Sequence, residues 1–212
     1  MIDTVIFDMD GTLLDTLDDL TDSVNYTLSQ FGFPAHTKDE VRKFVGNGVK
    51  LLFERALPKN SDTKIKNDCV EFFKKDYSKN MYNKTAPYKG ITEVLEEIRN
   101  SGMSVGVVSN KFDTAVNELC DKYFPSLIDA SIGQSGRIPP KPSPKGTLEI
   151  LNILNSSDAV FVGDSDVDII TAKNANLKSI GVTWGFRDKD NLKDADFIAN
   201  TPHELLQIIR SL

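Results

Sequence analysis

The stretch that decides the fold is TVIFDMDGT, residues 4–12, near the start of the 212-residue chain. Residues 4–7 are apolar or β-branched, which is typical of a short buried strand. Asp8 and Asp10 follow directly, only two residues apart, and Gly11 comes next. Carboxylates this close raise each other's pKa unless a cation compensates them. The stretch therefore predicts a buried strand that ends in a loop built around a charged site.

Short apolar segments alternate with helical segments over the rest of the chain. Further strands are predicted at residues 104–108, 128–132, 159–162, 179–182 and 197–198, with helix-like apolar spacing between them. Strands that alternate with helices favour a parallel sheet covered by helices on both faces. The predicted fold class is therefore α/β, with a doubly wound parallel sheet of the Rossmann-like kind.

The connection between the first two predicted strands is much longer than a crossover requires. A crossover needs about a dozen residues, whereas residues 15–85 form a surplus that is nearly all helical in pattern. We therefore predict an α/β core domain of residues 1–15 and 86–212, interrupted by a small α-helical cap domain at residues 16–85. Ligands of such sheets bind beyond the carboxyl ends of the strands, so we expect the insert to act as a lid there.

Composition excludes several classes of protein. The net charge of −6 argues against a nucleic-acid partner, which would require a basic surface. No apolar run approaches the roughly 20 residues of a membrane span, and no signal peptide is visible at the N-terminus. Cys69 and Cys120 do not form a CxxC pair, so we expect buried thiols and no disulfide framework. These features predict a cytoplasmic protein without a membrane partner.

Polar residues collect where the other predicted strands end. Ser109 and Asn110 follow the second strand, Asp164 and Asp168 follow the strand at 159–162, and Lys141 lies in a proline-rich loop after the third strand. Because the carboxyl ends of parallel strands lie along one edge of the sheet, we expect these side chains to meet the first-strand carboxylates there. The edge thus combines acidic groups, one hydroxyl and one ammonium group.

This combination favours phosphoryl transfer. Mg²⁺ prefers oxygen ligands and often shares a phosphate with one or two carboxylates. Backbone N–H groups at Gly11 and Thr12 are placed to approach an anion closely. Lys141 supplies positive charge for phosphate oxygens and Ser109 supplies a donor, so a carboxylate at this edge can serve as the nucleophile.

The chain resembles phosphatases of the haloacid dehalogenase superfamily over nearly its whole length. The matching motifs, in the family's order, are DMDGT at residues 8–12, Ser109 after a strand, Lys141, and GDSDVD at residues 163–168. The helical insert is similar to the family's helical caps. Within the family the chain looks most like phosphoglycolate phosphatases, through VGNG at 45–48, PYKG at 87–90 and VSNK at 108–111, although Lys89 stands where many relatives carry proline.

The resemblance implies a role for each motif residue. Asp8 would attack phosphorus and become an aspartyl-phosphate, and Asp10 would act as general acid and then as general base. Asp8, the backbone carbonyl of Asp10 and Asp164 would hold Mg²⁺, with Asp168 orienting their surroundings. The phosphate would be bound by a group of five residues, which are Gly11, Thr12, Ser109, Asn110 and Lys141, the last of which also counts as catalytic.

The resemblance also sets the predicted reaction and its alternatives. We predict Mg²⁺-dependent hydrolysis of a small phosphorylated metabolite, with 2-phosphoglycolate as the leading substrate. Pyrophosphate, a nucleotide or a sugar phosphate remain alternatives, as do a phosphomutase and a non-enzymatic phospho-acceptor module. A phosphomutase is disfavoured because its cap usually carries an arginine near residues 48–50, where none stands. The chain is expected to be a monomer or a homodimer.

Overall fold

The computed structural model describes residues 2–212, which form two compact units. One unit comprises the N-terminal residues up to Leu14 together with Pro87–Leu212, and the other is Asp15–Ala86. The predicted insert at residues 16–85 falls within the second unit. Its function as a cap stays a prediction.

Eight strands and nine α-helices are assigned within residues 2–212. The strands are β1 (Thr4–Phe7), β2 (Leu14–Asp15), β3 (Ala86–Pro87), β4 (Ser104–Phe112), β5 (Ala130–Gln134), β6 (Ala159–Gly163), β7 (Lys178–Val182) and β8 (Phe197–Ala199). The helices are α1 (Leu17–Gln30), α2 (Lys38–Phe44), α3 (Val49–Ala56), α4 (Thr63–Asn80), α5 (Ile91–Asn100), α6 (Asp113–Tyr123), α7 (Lys145–Leu154), α8 (Asp166–Asn174) and α9 (Pro202–Ser211). None of the helices in this part of the chain has both the length and the apolar character needed to span a bilayer.

The first unit is built on a six-stranded sheet in the order β5-β4-β1-β6-β7-β8, and every pairing is parallel. Helices α5, α6 and α7 pack on β4, and α8 packs on β6 and β7. The predicted doubly wound α/β fold is therefore confirmed. Residues 4–7 of β1 are all buried, as expected for a short apolar strand in the middle of a parallel sheet.

The register of β1 determines which loops meet at the edge of the sheet. Phe7, the last residue of β1, pairs with Val107 of β4 and with Val162 of β6. Asp8 follows β1 directly. Ser109 lies two residues beyond the paired position in β4, and Asp164 lies two residues beyond the paired position in β6. Parallel pairing in this register thus brings three distant sequence motifs side by side.

Several boundaries differ from those that the sequence predicts. β5 lies two residues later than predicted, at Ala130–Gln134 and not 128–132, and two other elements are clearly longer than predicted. β4 continues to Phe112 instead of ending at Val108, with a register shift against β5 between these residues. The apolar residues after the strand at 159–162 predict a helix that starts at Ile169, whereas α8 begins three residues earlier, at Asp166. In both places the extra residues are mostly polar, so no apolar pattern marked them in the sequence. Their backbone conformation follows from the neighbouring strands and from a helix cap.

The second unit contains α1 to α4, with α1 packed on α2 and α4, and α3 packed on α4. Phe73 forms the aromatic centre of this unit. Its ring lies 5.5 Å from the ring of Phe53 in an edge-on arrangement and 5.3 Å from the ring of Tyr77, on which it stacks. Thr37 and Glu40 form a capping box at the start of α2.

Both cysteines are free and buried, as the sequence predicts. Burial raises the pKa of Cys120 to about 12, since the thiolate would be poorly solvated at that position. Burial also raises the pKa of Cys69. Both side chains therefore remain neutral thiols near pH 7 and behave as small apolar groups.

A buried carboxylate ties the last residues of the second unit to its first helix. Asp19 of α1 is 2% exposed. It accepts hydrogen bonds from the backbone N–H of Lys84 at 3.0 Å, and from the backbone N–H and the hydroxyl of Thr85, each at 2.8 Å. A carboxylate that accepts several buried donors is costly to remove, because each donor is left unsatisfied.

We predict that Asp19→Ala lowers the free energy of unfolding by about 3 kcal/mol, because three donors, two of them buried, lose their acceptor. The matched control is Asp22→Ala, which removes an exposed carboxylate 2.6 Å from the Lys84 ammonium group. We expect the control to change stability by less than about 0.5 kcal/mol. Urea unfolding followed by circular dichroism measures both values, and equal losses would contradict the prediction.

Candidate active site

The end of β1 places Asp8 at the centre of the sheet edge. The backbone N–H of Asp8 donates to the carbonyl of Val162 at 2.9 Å, which continues the pairing between β1 and β6 by one residue. Asp8 is 8% exposed overall. Its carboxylate therefore lies in a confined position between the loops that follow β4 and β6.

A tight turn follows Asp8. The Met9 carbonyl accepts hydrogen bonds from the backbone N–H groups of residues 12, 13 and 14, at 3.2, 3.0 and 3.0 Å. Gly11 has φ +86°, and a Cβ atom at this position would overlap the Asp164 carboxylate, so only glycine fits. The Thr12 hydroxyl is buried and has no hydrogen-bond partner among residues 2–212. The turn thus brings backbone and a polar side chain close to the acidic groups.

Asp168 is held at the start of α8. Its Oδ2 atom accepts from the backbone N–H of Ser165 at 3.1 Å and from the Ser165 hydroxyl at 2.6 Å, which forms a capping box. Its Oδ1 atom accepts from the Lys141 ammonium group at 2.6 Å. Both oxygens of this carboxylate are therefore engaged by protein groups, which supports an orienting role.

Three buried carboxylates converge at this edge. One ligand oxygen from each of Asp8, Asp164 and Asp168 lies within 4.8 Å of the others. Burial raises the pKa of Asp8 to about 7; the Lys141 ammonium opposes this rise, and the Asp168 carboxylate adds to it. Burial also raises the pKa of Asp164 well above its usual range, and the charges of Asp168 and Asp8 add to the effect.

Lys141 compensates part of this negative charge. Its Nζ atom lies 2.7 Å from Asp8 Oδ1 and 2.6 Å from Asp168 Oδ1. Burial alone lowers the pKa of Lys141, but the charges of Asp168 and Asp8 outweigh burial and leave that pKa above its usual value. Lys141 is therefore an ammonium group near pH 7.

The Asn110 side chain fixes the backbone of Lys141. Its Oδ1 atom accepts from the Lys141 N–H at 2.6 Å, and its Nδ2 group donates to the Lys141 carbonyl at 3.2 Å. This pair of bonds connects the loop after β4 to the loop that carries Lys141, across 31 residues of sequence. The structure thus gives Asn110 a contact that positions the lysine.

A second lysine, Lys111, faces Asp10. Its Nζ atom lies 3.0 Å from Asp10 Oδ2, and the side chains are 4% and 12% exposed. The backbone N–H of Lys111 also donates to the Ser109 hydroxyl at 3.3 Å. Lys111 was not predicted as a site residue, although its position directly after Ser109 and Asn110 indicates that it lies at the same edge of the sheet.

The loop after β7 completes the surroundings of Asp164. The Phe186 N–H donates to Asp164 Oδ2 at 2.6 Å, and the Trp184 indole N–H donates to the Thr12 carbonyl at 3.1 Å. A Cβ atom at Gly185 would overlap both the Asp164 side chain and the Gly11 carbonyl. This loop was not predicted from the sequence. Its contacts with Asp164 and Thr12 come from a backbone N–H and an indole, and neither group is marked by charged residues in the sequence.

The chain matches one protein family over most of its length. Residues 5–182 match the family model described as haloacid dehalogenase-like hydrolase. The chain belongs to the haloacid dehalogenase-like hydrolases. The match covers well over half of the 212 residues and includes every motif described above. The resemblance inferred from DMDGT, Ser109, Lys141 and GDSDVD is therefore confirmed.

Several relatives of this hydrolase are named phosphoglycolate phosphatase. The protein of Aquifex aeolicus is 33% identical over 208 residues, which covers 97% of this chain and 95% of the relative. The protein of Vibrio parahaemolyticus is 30% identical over 221 residues, with 98% and 96% covered. The predicted enzyme class, a phosphoric monoester hydrolase, is confirmed at this level.

Solved structures of related proteins share the whole fold. A crystal structure from Lactobacillus delbrueckii subsp. bulgaricus has a TM-score of 0.93 and 33% identity, and 99% of each chain is covered. The crystal structure of a predicted phosphatase from Clostridium acetobutylicum has a TM-score of 0.89 and 27% identity over the full length of both chains. The arrangement of strands and helices in this hydrolase is therefore common to the family.

The structure brings most of the predicted site residues together. The Lys141 ammonium contacts Asp8 and Asp168, and Asp164 lies against both the Gly11 turn and the acidic group. The Asp10 carboxylate is paired with a lysine and does not belong to the group of three carboxylates. The predicted ligand role of Asp10 concerns its backbone carbonyl and stays a prediction, as do the roles assigned to the other residues.

We predict that a divalent cation, with Mg²⁺ as the probe, displaces a proton when it binds to this hydrolase. The cation requires ionised carboxylates, whereas the raised pKa of Asp8, about 7, keeps that group largely protonated at pH 6. Because the pKa of the proposed ligand Asp164 is raised as well, calorimetric titration in two buffers of different ionisation enthalpy should show release of about one proton or more at pH 6 and of fewer at pH 8.5, with tighter binding at pH 8.5. Equal proton release at both pH values would contradict the prediction.

Proposed function

We propose that this protein hydrolyses a small phosphomonoester, with 2-phosphoglycolate as its substrate, through an aspartyl-phosphate on Asp8. The observation that carries the proposal is the placement of Asp8 in contact with the Lys141 ammonium, beside Asp164 and at the end of the central strand. A carboxylate next to fixed positive charge is arranged to accept a phosphoryl group, because the charges of the entering phosphate are compensated.

The first chemical step is in-line transfer of the phosphoryl group. A carboxylate oxygen of Asp8 forms a bond to phosphorus as the bond from phosphorus to the ester oxygen breaks, and the electron pair of that bond stays on the leaving oxygen. The protonated Asp10 carboxyl donates its proton to this oxygen, so that glycolate leaves as an alcohol. The products of the step are the acyl phosphate on Asp8 and an Asp10 carboxylate.

The second step restores the enzyme. Asp10, now a carboxylate, removes a proton from a water molecule as the water oxygen bonds to phosphorus and the bond between phosphorus and Asp8 breaks. Inorganic phosphate leaves, Asp8 is again a carboxylate, and Asp10 is again protonated. One water molecule is consumed and one phosphate is released in each cycle.

The residues at the sheet edge fit a divalent cation. The side chains of Asp8, Asp10, Asp164 and Asp168, when ionised, exceed the two ammonium groups paired with them by two negative charges, which one divalent cation would neutralise. Asp8, Asp164 and the Asp10 carbonyl offer oxygen ligands, which suit Mg²⁺. When bound, Mg²⁺ supplies positive charge for the phosphate oxygens at the point where negative charge develops.

The remaining residues bind and orient the phosphate. Lys141 and the Ser109 hydroxyl supply donors. The backbone N–H groups of Gly11 and Thr12 already donate to the Leu14 and Met9 carbonyls within the turn. The Thr12 hydroxyl is buried and has no partner among the described residues, which favours a polar ligand beside it. Asn110 and Asp168 act on Lys141, one through its backbone and the other through its ammonium group.

The choice of substrate rests on the relatives. Those from Aquifex aeolicus and Vibrio parahaemolyticus, both named phosphoglycolate phosphatase, align with nearly all of this chain at 33% and 30% identity. We propose the same substrate here, acting as a small phosphorylated metabolite that the protein meets in the cytoplasm.

We predict that, with Mg²⁺ present, 2-phosphoglycolate is turned over many times per protein molecule, with a kcat/KM of about 10⁴ M⁻¹s⁻¹ or more. Its kcat/KM should exceed that of pyrophosphate, AMP and ribose 5-phosphate at least about tenfold, since substrate selection through several polar contacts is worth a few kcal/mol. Release of inorganic phosphate measures the rates. A better rate with another member of the panel would replace the substrate, and release of only one phosphate per protein would exclude the hydrolase reaction.

We predict that Asp8→Asn removes turnover and abolishes the hydroxylamine-sensitive labelling of the protein by ³²P-phosphomonoester, because an amide oxygen is a poor nucleophile. The matched control is Asp166→Asn, a change of the same kind at an exposed aspartate two residues from Asp164. We expect the control to retain at least about half of the wild-type rate, as surface substitutions usually do. An Asp8→Asn variant that keeps its activity would overturn the mechanism.

A further inference from the structure

Lys111 makes a buried ion pair with Asp10 and has no part in the two steps of the proposed reaction. Its ammonium group lies 3.0 Å from Asp10 Oδ2, and its side chain is only 4% exposed. Withdrawing an ammonium group from water costs several kcal/mol, which the attraction to one carboxylate does not reliably offset. A buried lysine at the edge of an active site therefore indicates a function beyond stability.

The two buried lysines serve different carboxylates. Lys141 contacts Asp8 and Asp168, whereas Lys111 contacts Asp10. Lys111 thus contacts Asp10, the proposed general acid, whereas Lys141 contacts Asp8, the proposed nucleophile. This division assigns Lys111 to a different part of the reaction from Lys141.

The location of Asp10 explains why it needs a partner. β1 ends at Phe7, so Asp10 belongs to the turn and not to the strand. A carboxyl group on a turn has two side-chain torsions, and the leaving oxygen can be reached only from some of their combinations. A buried ammonium group at hydrogen-bond distance restricts both torsions. The backbone of Lys111 is itself held, because its N–H donates to the Ser109 hydroxyl.

We propose that Lys111 is a positioning residue for the general acid: it holds the Asp10 carboxyl in the orientation from which the proton passes to the leaving oxygen. The inference rests on the proposed function, in which Asp10 supplies that proton. In the first step the bond between phosphorus and the ester oxygen breaks, and the proton of Asp10 goes to that oxygen. Lys111 donates a hydrogen bond throughout and neither gains nor loses a proton.

This role has a consequence that depends on the leaving group. An alkyl oxygen, as in 2-phosphoglycolate, leaves only with a proton, so its departure depends on the orientation of Asp10. A nitrophenolate leaves as a stable anion and needs no proton. Loss of Lys111 should therefore slow the hydrolysis of 2-phosphoglycolate strongly and that of a nitrophenyl phosphate only slightly. If Lys111 instead bound the phosphate, its loss would slow both reactions equally.

The experiment compares kcat/KM of Lys111→Met for 2-phosphoglycolate and for p-nitrophenyl phosphate, because kcat/KM reports the step in which the leaving group departs. We expect a loss of about 100-fold with the first substrate and of less than about 3-fold with the second, within the usual range for general acid catalysis. Lys111→Arg, which keeps a charged donor, should restore most of the activity. Equal losses with the two substrates, or no loss with either, would overturn the proposal.

A double-mutant cycle with Asp10→Asn tests the same point independently. If Lys111 acts through Asp10, Lys111→Met should cost less than about 3-fold in the Asp10→Asn background, because the group that it positions is already absent. A full 100-fold loss in that background would overturn the proposal. The matched control is Lys64→Met, which breaks an exposed ion pair on α4 whose Lys64 Nζ and Asp68 Oδ2 atoms lie 2.7 Å apart. This variant should keep the wild-type kcat/KM for both substrates.

Two further measurements separate the possible failures. If Lys111→Met does not fold, as judged by circular dichroism and melting, Lys111→Gln, whose amide is shorter and uncharged, replaces it in the same two-substrate comparison. We then expect a smaller loss that is again confined to 2-phosphoglycolate, and equal losses with the two substrates would overturn the proposal. If Asp10→Asn itself loses no activity with 2-phosphoglycolate, the proposed function of Asp10 is wrong, and the inference about Lys111 falls with it. If Asp10→Asn is slow but Lys111→Met is not, only the inference about Lys111 is overturned.

Discussion

The contact of one buried ammonium group with two buried carboxylates is the interaction on which the rest of the site depends. Lys141 lies within 2.7 Å of Asp8 and Asp168, and all three groups are almost completely withdrawn from water. Without the lysine, burial and the Asp168 charge would raise the pKa of Asp8 further, and Asp8 would be a weaker nucleophile. The proposed chemistry therefore depends on how firmly Lys141 is held. Asn110 holds its backbone and Asp168 holds its ammonium group.

The parallel sheet makes this arrangement possible, because it joins motifs that are far apart in the sequence. β1 lies between β4 and β6, so the residues that follow these three strands share one edge. Close packing then requires glycine at three positions around the acidic groups. A side chain at Gly11 or Gly185 would overlap Asp164, and one at Gly163 would overlap Asp168. The acidic groups can approach one another only because these backbone segments carry no Cβ atom.

Much of the site could be predicted from the sequence, for two separate reasons. The apolar segment before Asp8 and the alternation of strands with helices indicate a parallel sheet, whose geometry requires the polar residues at the strand ends to meet. The order of DMDGT, Ser109, Lys141 and GDSDVD is specific to one family. Strand and helix ends were less accurate at β4 and α8, where polar residues adopt regular structure because of their neighbours and not because of an apolar pattern.

The sequence by itself determined the fold class, the family and the residues that carry charge to the edge of the sheet, because apolar periodicity and motif order are local properties of the chain. Only the tertiary structure decided which charges pair. It joins Lys111 to Asp10 and Lys141 to Asp8, turns the Asn110 carboxamide toward the Lys141 backbone, and brings the Phe186 N–H to Asp164. These partners are separated by 22 to 133 residues along the chain, and their choice follows from the register of the strands and the packing of the loops.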